Sequence, residues 1–67
     1  MIMIDKNQIY VKDYHEIIMM DSHIFSIRMD QYLLNIKGKD LEMYYYDHEE
    51  LRLHGYVKVI EYDENRV

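Results

Sequence analysis

Residues 35–47 read NIKGKDLEMYYYD and residues 52–63 read RLHGYVKVIEYD. Each has an apolar residue two positions before a glycine and an alternating run after it that closes on Tyr-Asp. One unit of strand, glycine and strand is thus written twice, with Gly38 and Gly55 seventeen residues apart. Leu41, Met43 and Tyr45 recur at every second position, as do Leu51 and Leu53, and a period of two places each set on one face of a strand. A glycine between two such runs marks a backbone that needs positive φ, a bulge or a sharp bend. Corners of that kind let a short sheet fold back over itself and make two layers from few strands.

The tyrosine triplet is divided by the same alternation. With Leu41, Met43 and Tyr45 turned to the core, Tyr44 and Tyr46 face out. Tyr favours strands, so aromatic cover of a sheet face accounts for the triplet. Exposed Tyr is also a common contact residue, which makes Tyr44 and Tyr46 the candidate interaction surface. The DHEE of residues 47–50 reads as a solvated turn whose charge ends the strand.

Outward from this centre the β pattern continues. Strands are expected at Ile2–Ile4, Gln8–Lys12, Ile17–Met20, Ile24–Arg28, Tyr32–Lys37, Leu41–Tyr46, Leu51–His54 and Val57–Tyr62. Asp5-Lys6-Asn7, Asp21-Ser22, Met29-Asp30 and Asp47-His48-Glu49 lie between them, and Asp and Asn side chains close turns on their own backbone. The expected fold is all-β, one small domain over residues 1–67. Seven or eight short strands would form a meander folded into a two-layer sheet or roll, with corners at Gly38 and Gly55.

A chain of 67 residues buries a thin core, and with no cysteine it has no disulfide to reinforce it. Association with itself or a partner would add burial. The net charge of −5 opposes a phosphate backbone, so nucleic acid is not the expected partner. MIMI at residues 1–4 lacks a preceding basic region, and Ile17–Met20 is too short to cross a bilayer, so the chain reads as soluble and untargeted.

No catalytic constellation is evident. His15, His23, His48 and His54 form no ligand spacing, and His54 shares a strand face with Arg52, opposite Leu51 and Leu53. Asp47, Glu49 and Glu50 lack the regular alternation of a calcium loop, and Ser22 and Ser26 stand in no nucleophile elbow. The expectation is a protein that is not an enzyme, with no cofactor and no metal.

IMIDKNQIYVKDYHEI (residues 2–17) followed by IFSIRMDQYLLNIKGKDLEMYYYDHEELRLHGYVKVIEYD (residues 24–63) resembles the YabP/YqfC family of sporulation proteins over almost the whole chain. The likeness is carried by I-x-G-K-x-L-x-M ending at Met43 and by E-L-x-L-x-G-x-V-x-x-I-E-Y ending at Tyr62. Family members usually have a longer N-terminal lead and glycines in the second and fourth linking regions, where this chain has Glu16 and Gln31. The resemblance implies a small β protein of the mother-cell cytoplasm of a spore-former, needed for spore formation or coat assembly, with no assigned catalytic activity. It suggests a noncatalytic module associating with itself or with a sporulation partner. Two other readings remain open: an acidic domain that binds or inhibits a basic protein through Asp47, Glu49 and Glu50, and a single-strand nucleic-acid-binding barrel using Tyr44, Tyr46 and Tyr56.

Overall fold

A computed structural model describes residues 1–5 and 7–64. The middle of the Asp5-Lys6-Asn7 turn therefore lies outside the described residues. The strands are β1 (Ile2–Asp5), β2 (Gln8–Lys12), β3 (Glu16–Met20), β4 (Ile24–Arg28), β5 (Leu33–Tyr46) and β6 (Glu50–Asp63). All pair antiparallel in one sheet of order β1-β2-β6-β5-β4-β3. The all-β expectation holds, with six described strands rather than seven or eight. The four short strands expected around the two glycines are two strands of 14 residues each, and Gly38 and Gly55 lie inside them. Strands β3 to β6 form a meander, to which the β1–β2 hairpin is added on the far side of β6.

The long strands explain how one sheet makes a core. Residues 33–37 of β5 pair with β4 on one side and residues 59–63 of β6 on the other. Residues 50–54 of β6 pair instead with β2, and residues 51–54 pair on their other side with Glu42, Met43, Tyr45 and Tyr46 of β5. The sheet therefore has two wings sharing β5 and β6, a β4 wing and a β2 wing. Phe25, Ile27, Leu34 and Ile36 of the first and Ile9, Val11, Leu51 and Leu53 of the second join Met29 and Leu41 in a single buried cluster. Burying each of these side chains stabilises by roughly 1.5–3 kcal/mol, which is why the sheet bends over itself rather than lying flat.

Both glycines lie where the long strands pass from one wing to the other. Gly55 has φ 138°, and a Cβ there would come within 2.5 Å of the Asp40 carbonyl oxygen and 2.9 Å of the Leu41 Cα. At Gly38 a Cβ would overlap the carbonyl oxygen of Tyr56, so the two long strands approach too closely for any side chain. Asp40 takes the left-handed conformation with φ 55°, which Asp tolerates better than most residues. Register shifts between Lys37 and Gly38 and between Lys39 and Glu42 form the bulge. It moves the inward set of β5 from Leu34 and Ile36 to Leu41 and Met43, reversing which positions face the core.

Aspartates close two turns as their chemistry dictates. Asp21 Oδ1 accepts from the backbone N–H of His23 at 2.7 Å and of Ile24 at 2.9 Å. Asp47 Oδ1 accepts from those of Glu49 and Glu50, both at 2.8 Å. Residues 13–15 then carry the chain from one wing to the other, anchored by Asp13 N–H on the Glu49 carbonyl at 2.7 Å and His15 N–H on the Arg28 carbonyl at 2.8 Å.

Candidate interaction surfaces

Two surfaces converge at the tyrosine triplet, because the triplet does not keep strict alternation. Met43 pairs with Leu53, but the next described pair is Tyr45 with Arg52, so Tyr44 is an extra residue. Leu53 and Leu51 are fully buried and Arg52 lies between them on the opposite face. Tyr45, paired with Arg52, therefore points outward, and Tyr46, paired with Leu51, returns to the inward side at the open rim. This corrects the expectation that Tyr45 is a core residue and that Tyr44 and Tyr46 share the outer face. Tyr45 is 42% exposed, and Tyr44 and Tyr46 lie on opposite faces.

The outer surface of the β2 wing is built around Arg52. Its guanidinium lies 4.7 Å from the Tyr45 ring centroid and 5.5 Å from that of Tyr10, and its Nη2 donates to Glu50 Oε1 at 3.2 Å. That hydrogen bond is the main reason the Arg52 pKa is raised. The Tyr45 hydroxyl donates to Asp47 Oδ2 at 2.8 Å, which chiefly raises the phenol pKa by favouring its protonated form. Tyr44 stacks at a tilt on His54, centroids 5.4 Å apart, and His54 Nε2 reaches Glu42 Oε1 at 3.0 Å. Tyr10 donates to Gln8 Oε1 at 2.8 Å. Aromatic rings around an Arg have the composition of interface hot spots.

The second surface is a seam. Strand β3 ends the sheet, and among the described residues positions 42–46 of β5 have only β6 beside them, because β4 stops pairing with β5 at Lys37. One end of the seam is closed by the Leu41 N–H on the Ser22 carbonyl and the Gly38 N–H on the His23 carbonyl, each at 2.9 Å. The Tyr14 hydroxyl, donating to the Asp47 carbonyl oxygen at 2.5 Å, closes the other. Between these closures an open groove of about 440 Å³ is lined by Ile17, Ile18, Met19, Met20, Met43 and Tyr46. At the Tyr46 end a smaller recess of about 150 Å³ is lined by Lys12, Asp13, Asp47, Glu49 and Glu50.

The four histidines stand apart. His15 faces Asp30 at 3.6 Å, His23 Nδ1 lies 3.2 Å from Ser22 Oγ, and His48 faces Glu49 at 3.8 Å, while His54 faces Glu42. Asp21 and Asp47 have carboxyl pKa values below the usual range, held down first by the backbone N–H of His23 and of Glu49 respectively. Of the surface residues, Arg52 and Tyr10 could have been found from alternation against Leu51, Leu53, Ile9 and Val11. Tyr45 could not, because nothing in YYY marks which tyrosine is the extra one.

The family model described as the YabP family matches residues 1–67. No curated protein and no solved structure matches the chain. A match over every residue, including both glycine corners and the strands that bracket the seam, shows that the chain belongs to the YabP family.

Proposed function

We propose that this protein is a noncatalytic interaction module of endospore formation, acting in the mother-cell cytoplasm through sheet-mediated association. Membership of the YabP family points to sporulation as the process. The observation that carries the mode of action is the state of the sheet edges. Strands β1 and β3 end the sheet, and Met3, Ile4, Ile18, Met19 and Met20 on them are exposed. An edge strand offers unpaired main-chain N–H and C=O groups to another chain, and apolar side chains beside it add burial that a thin core lacks. The open apolar groove of this surface supports binding better than turnover, since catalysis needs groups fixed in a site that excludes water.

The test is genetic and biochemical together. Deleting the gene in its spore-forming host should lower the yield of heat-resistant spores, and the wild-type gene should restore it. A gene bearing Ile18→Asn and Met20→Asn should not restore it, although the variant protein keeps its β circular dichroism. Normal spore yield from the deletion strain would overturn the assignment to sporulation.

A further inference from the structure

We infer that the seam between β3 and the end of β5 is a docking groove for an extended segment of another protein, apolar at its centre and flanked by Lys or Arg. This rests on the interaction-module reading above and names the surface and the chemistry of the partner.

The groove is apolar and uncovered. Ile18, Met19 and Met20 are 47%, 51% and 56% exposed, side by side on an edge strand. Lys and Pro are common guards of edge strands against pairing, and Glu16–Met20 carries neither, its charge confined to Glu16 at the start. A register shift between Ile17 and Met19 leaves Ile18 as an extra residue; Ile17 and Met20 pair with inward Ile27 and Phe25 and Met19 with Ser26, so apolar residues from both faces of the strand border the groove. Methionine adapts its shape to whatever apolar group enters, and Met19, Met20 and Met43 supply half of the lining.

Charge selects the occupant. Beyond Tyr46 the recess is lined by Asp13, Asp47, Glu49, Glu50 and Lys12; Glu50 is paired with Arg52, which leaves three carboxylates beside the Lys12 ammonium. Tyr46 of the groove runs directly into Asp47 of the recess, and the Tyr14 hydroxyl donates to the Asp47 carbonyl oxygen between them, which places recess and groove side by side. At the opposite end of β3 stands Asp21, which follows Met20 directly. A groove with acidic groups at both ends fits an apolar strand with basic ends. It disfavours a second copy, which would bring the same carboxylates and the same net charge of −5.

The experiment titrates the full chain into a fluorescein-labelled octapeptide of alternating Val and Ile with lysines at both ends, read by anisotropy. The same peptide with glutamates at its ends is the control. The Lys-ended peptide should bind more tightly, and its advantage should shrink as salt is raised. Ile18→Asn with Met20→Asn should weaken binding by about tenfold, as loss of apolar anchors does. Asp13→Asn with Glu49→Gln should narrow the difference between the two peptides roughly threefold without moving the melting temperature, since exposed charges steer more than they stabilise. Asn is chosen at Asp13 because the residue there has φ 61°, which Asn also tolerates. The inference is overturned by equal binding of both peptides, by binding of neither, or by affinity indifferent to the Ile18 and Met20 changes. It is also overturned if sedimentation shows a wild-type dimer that those changes dissociate, since the occupant would then be a second copy. Lost sporulation in the deletion strain without peptide binding would remove the groove and leave the proposed process standing, whereas peptide binding with normal spores would do the reverse.

Discussion

The Tyr14 hydroxyl donates a hydrogen bond to the Asp47 carbonyl oxygen across 33 positions of sequence, joining the crossover between the wings to the turn after β5. Tyr14 is half-buried against the core cluster, so the bond is sheltered and its loss leaves a carbonyl short of a partner. Tyr14→Phe keeps the ring and removes only the donor. The expected outcome is a loss of about 1 kcal/mol in urea denaturation with the slope unchanged. A variant as stable as the wild type would show that the seam is held at this end by packing alone.

Gly55 combines a positive φ with a close approach of the neighbouring strand. Gly55→Val forces a β-branched residue into φ 138° and pushes its Cβ against the Asp40 carbonyl and Leu41 Cα. Strained backbone costs roughly 1–3 kcal/mol before the clash is counted, against a total of about 3–10 kcal/mol for a domain of this size. The variant should be largely unfolded by circular dichroism at room temperature, while Arg52→Ala on the exposed face should fold normally. Equal denaturation midpoints for the two would remove the corner from the account of the fold.

Acid should weaken the protein through its two aspartate turns. The carboxyls of Asp21 and Asp47 titrate below their ordinary value near 4 because each charged form accepts backbone N–H bonds that the unfolded chain lacks. Their contribution is present above that ordinary value and is lost as pH falls through the lower folded pKa values. Stability should therefore decline as pH drops below about 4. Replacing both residues by Asn should flatten that decline, since Asn accepts similar bonds without titrating. A decline of unchanged steepness in the double variant would assign it to other carboxylates.

The parts of the fold legible in the sequence are those that depend on local alternation. Ile9 with Val11, Leu34 with Ile36 and Leu51 with Leu53 each read as inward pairs, and each is buried. Turns at Asp21 and Asp47 were legible because a short carboxylate closes its own backbone. The fusion of strands through Gly38 and Gly55 was not, because a glycine that ends a strand and one that bends it look alike in sequence. Nor was the seam. Ile17–Met20 reads as an ordinary apolar run, and only the placement of β3 at the end of the sheet leaves Ile18, Met19 and Met20 uncovered. The bulge at Tyr44 depends on the pairing of β5 with β6 and reverses the faces that simple alternation assigns to Tyr45 and Tyr46.

That reversal can be measured with paired substitutions. Arg52 touches the Tyr45 ring and lies on the other side of the sheet from Tyr46, which pairs with inward Leu51. In a double-mutant cycle, Tyr45→Ala and Arg52→Ala should couple, each change costing less once the other is present, because they remove one cation–π contact. The expected coupling is roughly two- to fivefold in the folding equilibrium constant. Tyr46→Ala with Arg52→Ala should be additive, since the two side chains share no partner. Uniform alternation predicts the opposite pattern, with Tyr46 beside Arg52 and Tyr45 in the core. Coupling of Arg52 to Tyr46 and not to Tyr45 would therefore restore that simpler strand and take Tyr46 out of the groove.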